Sequence, residues 1–409
     1  MGWRAVVGGR AVLASVTVVV SIIAAGCGRQ SFSSTASQVA SNTSTARHSV
    51  TSRTAAAASS TTMTSESSSS PSGNEAGSSD ASSTAPASTS ASGRSARATG
   101  TSVSQPYILT SVAMTSPSRG YALAPGSSEH GSTTEVLDTT DGGAKWHVLK
   151  SFPLALGQLV APSSSDVYIV GSPCKPECST GTTVMRTTNG GNTWHTIYTN
   201  PTAISGGISF TSTTEGWLFL TQTTSRSGKL VGLLLHTPNG GKTWTPLSAP
   251  CESSLGGLLS FVNQKDGWGF CIEQGAAGLS AKTLLRTTDA GRVWKAVATT
   301  SGNPRVRVNP DSGLPSMGYV SSLFFVTPED GWLCGQRMGC LRTADGGVQW
   351  VPAASYGLAG GWLSVGMFAS GFGWLVDSHT PLNSSLLTTA NGGKTWTVVY
   401  PPQIARSGS

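Results

Sequence analysis

From about residue 105 to residue 400 the apolar positions of the chain fall in short runs separated by Ser, Thr, Gly and Asn. Ile208–Phe210, Trp217–Thr221, Leu233–Thr237 and Thr243–Leu247 are typical. Each is too short for a helix, is rich in β-branched or aromatic residues, and is bounded by turn formers. Four such runs in one stretch, then the same order again, predict four-stranded antiparallel meanders. Most copies open with an apolar run ending in Phe, a polar turn, and then Gly-Trp. This is seen at Phe210…Gly216-Trp217, Phe261…Gly267-Trp268, Phe325…Gly331-Trp332 and Phe368…Gly373-Trp374. The first copy reads Met114…Gly120-Tyr121, and the second keeps Val167-Tyr168.

Before the last run of each copy stands one conserved turn, written six times: TTDGGAKW (Thr139–Trp146), TTNGGNTW (Thr187–Trp194), TPNGGKTW (Thr237–Trp244), TTDAGRVW (Thr287–Trp294), TADGGVQW (Thr343–Trp350) and TANGGKTW (Thr389–Trp396). The acid or amide at Asp141, Asn189, Asn239, Asp289, Asp345 and Asn391 is placed to accept backbone N–H groups two or three residues on. Asn replaces Asp freely, so the position needs a carbonyl oxygen rather than an acid. The glycines supply positive φ, and each Trp buries apolar surface at the start of the next strand. These residues are read as structural. Six copies predict an all-β, six-bladed β-propeller, residues 105–400, with a short tail at 401–409. How the ring is latched is left open, because the first and last repeats both look complete.

The repeated turn resembles the Asp-box (BNR) repeat of sialidases, sortilin ectodomains, some xyloglucanases and photosystem II assembly/stability factors. The resemblance implies the propeller fold; those relatives do different things on one scaffold, so it does not fix an activity. It also draws attention to the residue three places before each Asp or Asn, which reads Asp138, Arg186, His236, Arg286, Arg342 and Thr388. In the photosystem factors arginines at this spot form a binding patch, which makes Arg186, Arg286 and Arg342 candidates. The alternative is an Arg stacked on a neighbouring Trp.

Residues 1–27 read as an export signal. Arg4 and Arg10 precede an apolar run from Ala11 to Gly26, short for a membrane span, and Ala24-Ala25-Gly26-Cys27 resembles a lipobox. Cys27 is therefore the expected lipidation site, with an uncleaved anchor as the alternative. Residues 28–104 are Ser, Thr and Ala with few large apolar side chains, a composition that cannot offset ordering entropy; a disordered stalk is expected. The formal net charge is +7, but the propeller's own surplus is too mild to argue for nucleic acid. No cofactor is expected. Scattered His residues and the better use of Cys in bridges give no metal site.

The remaining six cysteines test the strand assignment. An antiparallel meander with strands A to D puts B–C loops and D-to-next-A connections on one face, with A–B turns and boxes on the other. This selects Cys174–Cys178, Cys251–Cys271 and Cys334–Cys340, all on the loop face. That braced face is the candidate binding surface. It is expected to carry Glu129 and His130, Arg226, Glu273, Arg337, and Asp377 with His379. The Thr299–Met317 insertion adds Arg305, Arg307 and Asp311. The expected function is a non-enzymatic lipoprotein of the cell envelope that binds a protein or glycan. The alternative is a glycoside hydrolase of sialidase or xyloglucanase type. That chemistry requires paired carboxylates, or a Tyr nucleophile with an arginine cluster. Only Glu129, Glu273 and Asp377 are plausible mouth acids, and no Arg-Ile-Pro motif occurs.

Overall fold

The computed structural model describes residues 107–126, 133–174, 178–179, 181–224, 228–251, 256–276, 279–300, 308–353, 361–379 and 383–400. The expected signal, stalk, Cys27 and C-terminal tail lie outside them. The described residues form six four-stranded antiparallel sheets, each built from consecutive strands. The first is β1 (Ser111–Met114), β2 (Gly120–Pro125), β3 (Thr134–Thr139) and β4 (His147–Phe152). The second is β5 (Leu154–Val160), β6 (Val167–Pro173), β7 (Thr182–Thr187) and β8 (His195–Asn200). The third is β9 (Ala203–Phe210), β10 (Gly216–Thr223), β11 (Leu230–Thr237) and β12 (Thr245–Leu247). The fourth is β13 (Gly256–Phe261), β14 (Gly267–Ala276), β15 (Leu279–Thr287) and β16 (Lys295–Thr299). The fifth is β17 (Tyr319–Phe325), β18 (Gly331–Gln336), β19 (Gly339–Thr343) and β20 (Val351–Pro352). The sixth is β21 (Trp362–Met367), β22 (Gly373–His379), β23 (Asn383–Thr389) and β24 (Thr397–Tyr400). This is the six-bladed propeller expected from the repeats.

Each box is a hydrogen-bonded knot centred on its threonine, a role the sequence pattern did not suggest. In blade four the buried Thr287 hydroxyl donates to Asp289 Oδ1 (2.8 Å) and accepts the N–H of Gly291 (3.0 Å). The same two bonds recur from Thr139, Thr187, Thr237, Thr343 and Thr389. The acid or amide oxygen then accepts the N–H four residues on, farther than expected, as from Lys145 to Asp141 (2.9 Å). Backbone bonding at Asp289 also holds its carboxyl below the usual range. The reading of Asn as a plain carbonyl source needs correction too. In all three Asn boxes the amide Nδ2 donates to a threonine hydroxyl four residues on: Thr193, Thr243 and Thr395. The Asp boxes carry Lys145, Val293 and Gln349 there, so amide and threonine occur together because an amide has donors that need acceptors. Finally, the N–H after the Asx residue bonds a carbonyl in the A–B turn of its own blade, as Gly142 to Ser118 and Gly240 to Thr214. Ala290, at φ 68°, takes the place of glycine in blade four and makes the same bond to Lys265.

Neighbouring blades are joined at two radii. The A strands contact one another around the ring, so they surround the axis. Each leaves an unpaired edge, and from blade two to blade six an N–H there is met by a polar side chain of the preceding A strand. Leu159 donates to Ser111 Oγ (3.1 Å), Ile208 to Gln158 Oε1 (2.9 Å), Phe261 to Ser209 Oγ (3.0 Å) and Phe325 to Ser260 Oγ (2.8 Å). Leu363 completes the set with Ser321 Oγ (3.1 Å). Glycine permits the approach: a β-carbon on Gly206 would sit 2.9 Å from Gly257 O, across the blade three–four contact. Further out, the B-strand aromatic of one blade lies flat on the Phe that ends the next A strand. Tyr168 stacks on Phe210, Trp217 on Phe261 and Trp268 on Phe325, with ring centroids 3.7–3.8 Å apart. Their polar atoms reach the next blade as well. Trp217 Nε1 donates to Ala290 O in the box of blade four (3.0 Å), and Trp268 Nε1 to Gly346 O in the box of blade five (2.9 Å). Such stacked pairs are worth about 1 kcal/mol each beyond the area they bury.

The latch is a strap, not a shared strand. Residues 107–109 run along blade six before β1 begins. Leu109 N donates to Ser384 Oγ (2.8 Å), Ser378 Oγ donates to Leu109 O (2.6 Å), and Tyr107 N donates to the Tyr400 hydroxyl (2.6 Å). Trp374 Nε1 donates to Val112 O (2.8 Å), and Leu109, Val112, Val376, Leu386 and Tyr400 pack into one cluster spanning the seam. Burial in that cluster pushes the Tyr400 phenol up to about 12, so it stays a neutral donor and acceptor.

Two stability measurements check this account. Thr287→Val keeps the shape but strands the Gly291 N–H, and should cost about 2 kcal/mol in urea unfolding. Tyr400→Phe removes the strap's outer hydrogen bonds and should cost about 1 kcal/mol with the slope of unfolding unchanged.

Candidate functional site

Two sets of residues compete for function: the strand arginines on the box side and the loops on the other. Arg186 lies directly across from Tyr168 in the β6–β7 pairing, Arg286 across from Trp268, and Arg342 across from Trp332. That register puts each guanidinium over the neighbouring ring, at 5.1, 5.0 and 6.0 Å from its centroid. Each also pairs with an acid that the sequence reading overlooked. Arg186 Nη2 meets Asp166 (2.6 Å), Arg286 Nη2 meets Asp266 (3.3 Å) and Arg342 Nη2 meets Asp330 (2.9 Å). In blade three the pair is His236 and Glu215, 2.5 Å apart. The acid stands one residue before the first residue of each B strand, so its signal was visible: every Arg or His of the set has an Asp or Glu there. Blade one reverses the order, with Arg119 in the acid's place and Asp138 in the arginine's.

Arg186 is the most committed of the three. Besides Asp166 it donates to Thr213 O (3.0 Å) and, through Nη1, to Gly240 O in the box of blade three (2.8 Å). It therefore straps two blades together. Arg342 is more open, at 40% side-chain exposure against 14% for Arg186. The geometry is that of stacked, ion-paired framework arginines spread over three blades.

On the loop face the structure pairs Cys174 with Cys178 between β6 and β7, Cys251 with Cys271, and Cys334 with Cys340 across the β18–β19 hairpin. The strand that carries Cys271, β14, runs on past it to Ala276. Beyond the third bridge the hairpin turns through Arg337, an exposed residue at φ 65°. An L-residue in that left-handed region costs about 1 kcal/mol or more, and such strain gathers at functional positions. Glu273 is half-buried on β14 of blade four, and Asp377 is buried on β22 of blade six, two blades away. Glu129, His130, Arg226, Arg305 and Arg307 lie outside the described residues; of His379 only the backbone, at the end of β22, is described.

The described part of the insertion, 299–300 and 308–317, packs between blades four and five. Trp350 N donates to Ser312 O (2.7 Å), Ser312 Oγ donates to Thr299 O (3.2 Å), and Leu314 enters the core beside Trp268 and Trp350. Asp311 is exposed in this segment. The segment is pegged by Lys282, whose buried ammonium donates to Ser280 O, Pro315 O and Ser316 O (3.2, 2.9 and 2.7 Å). Desolvation lowers its pKa to about 8. The unfolded chain thus holds this proton more tightly, and the resulting penalty is relieved as pH rises above about 8.

With this geometry the chain can be set beside solved structures. It aligns with the Hadza microbial sialidase Hz136 at 11% identity and TM-score 0.50, covering 70% of this chain and 66% of that one. The fold is that of a six-bladed β-propeller. Other similar structures are YCF48 bound to D1 peptide (15% identity, TM-score 0.42, 73% of this chain and 83% of that one) and the GH93 α-L-arabinofuranosidase of Fusarium graminearum with arabinobiose (11%, 0.48, 70% and 93%). No protein-family model matches the chain, and a search of the curated proteins finds no match by sequence. At these identities the likeness concerns the propeller alone, which serves binding proteins and glycoside hydrolases alike.

A pair of variants distinguishes framework from surface among the propeller's strand arginines. Arg186→Ala leaves Asp166 buried without its partner and should cost about 3 kcal/mol in chemical denaturation, whereas Arg342→Ala should cost about 1 kcal/mol or less.

Proposed function

We propose that this chain is an exported, lipid-anchored, non-enzymatic scaffold whose loop face binds a protein or glycan at the cell envelope. One contrast carries the reading. On the box side the arginines and acids are spent on stacking and on ion pairs, with Arg186 also bonding the next blade, whereas the opposite face combines three disulfides with an exposed, left-handed Arg337. A rigid support beneath a strained, solvent-facing cation is what a binding loop requires. The anchor rests on the basic start, the apolar run and Cys27, and disulfide pairing suits an oxidising compartment outside the cytoplasm. Glu273 and Asp377 stand on separate blades and belong to the same face as contacts for the ligand.

The test is affinity capture from intact cells with the full-length protein, comparing native chain and Arg337→Gly. Glycine relieves the positive φ, so stability should hold or rise by about 1 kcal/mol. Capture of the partner should fall by about fivefold or more, as for an interface residue worth about 1 kcal/mol. Unchanged capture by Arg337→Gly and Glu273→Gln together would remove the loop face from consideration. Hydrolysis of xyloglucan or a sialoside that Asp377→Asn abolishes would replace the scaffold with the glycoside hydrolase.

A further inference from the structure

The chain contains three Asn-Gly pairs, and all three are box residues: Asn189-Gly190, Asn239-Gly240 and Asn391-Gly392. Each is followed by a second glycine, so their intrinsic chemistry is matched. Asn-Gly is the dipeptide most open to deamidation, because glycine offers little hindrance to attack by its own nitrogen. The Gly nitrogen attacks the Asn side-chain carbonyl carbon; the new C–N bond forms, the Cγ–Nδ2 bond breaks and ammonia leaves. Water then opens the five-membered imide to aspartate or isoaspartate.

The box opposes every step. In each copy the Asn oxygen is bonded to a threonine hydroxyl and to a backbone N–H, and the leaving amide to a second threonine, all at 2.8–3.0 Å. The nucleophile is engaged too: Gly190 N donates to Ser165 O (2.9 Å), Gly240 N to Thr214 O (2.7 Å) and Gly392 N to Gly371 O (2.8 Å). Reaction thus requires the turn to open, and opening depends on what the preceding blade lays over it. Gly240 is held from blade two by Arg186, which bonds its carbonyl at 2.8 Å. Gly190 has the Tyr121 hydroxyl of blade one 3.4 Å from where a β-carbon would stand. The preceding blade packs on the second glycine of all three boxes, through Leu149, Ile197 and Trp332, so the difference lies at the first: around the same point on Gly392 there is open space to 4 Å.

We infer that Asn391 is this protein's deamidation site in the folded state, while Asn189 and Asn239 are shielded by the blades that precede them. The experiment is incubation of the full-length chain at 37 °C and pH 8, folded and in urea, followed by peptide mapping for aspartate and isoaspartate. In urea the three sites should react at similar rates. In the folded chain Asn189 and Asn239 should slow by at least about a hundredfold, as an opening free energy of about 3 kcal/mol implies, and Asn391 by at least about tenfold less than they do. Arg186→Ala should move Asn239 toward the rate of Asn391 and leave Asn189 unchanged. Equal folded-state rates at the three sites, no folded-state reaction at Asn391, or equal rates with and without urea would each overturn the assignment.

Discussion

A four-stranded sheet has two edges, and in this ring the inner one faces other inner edges around the axis. Backbone N–H groups there have no sheet partner, and leaving them bare would cost as much as losing a hydrogen bond each. The chain answers with short polar side chains, Ser111, Gln158, Ser209, Ser260 and Ser321, each aimed at the next blade. Because each bond points to the following repeat, no blade is complete alone. The aromatic stacking farther out has the same direction: Tyr168, Trp217 and Trp268 all lie on a Phe that belongs to the next blade. Ring closure is therefore a condition for satisfying the blades, not a late embellishment.

What could be read from the residue string follows from how local each interaction is. The boxes were legible because every group that defines them lies within a few residues. Even so, the threonine hydroxyl at their centre was missed, because a buried Thr looks like any strand residue until its bond to the glycine four positions on is seen. The ion pairs show the opposite failure. Asp166 and Arg186 stand twenty residues apart and Asp330 and Arg342 only twelve, because the B–C loop varies in length; the acid nevertheless always stands just before its B strand, so lining up the repeats would have exposed the pairing. The strap left no comparable trace. It uses the backbone of Tyr107 and Leu109 and the hydroxyls of Ser378, Ser384 and Tyr400, none of which repeats. The left-handed conformation of Arg337 is set by a tight hairpin that composition does not reveal.

The two faces divide the work that a propeller must do. Box glycines, A–B turns and strand arginines hold blades in register, and their polar atoms are turned inward to one another. The disulfide-bearing connections do not set the register; Cys334 and Cys340 close a hairpin already defined by pairing. That leaves their outer residues free to vary without disturbing the ring. Residues 308–317 form a third kind of surface, where an insertion has been absorbed into the core through Leu314 and fastened by Lys282.

Because all four strands of every blade are contiguous and the strap ends beside the last strand, with Tyr107 N 2.6 Å from the Tyr400 hydroxyl, the two ends of the ring are neighbours. A short linker joining them would give a chain with no preferred starting point, and new termini opened in any blade-to-blade connection would leave each sheet whole. Circular permutation of this kind is tolerated where ends meet at a surface. The architecture is thus indifferent to where translation begins, which is the arrangement expected of a ring grown by copying one blade.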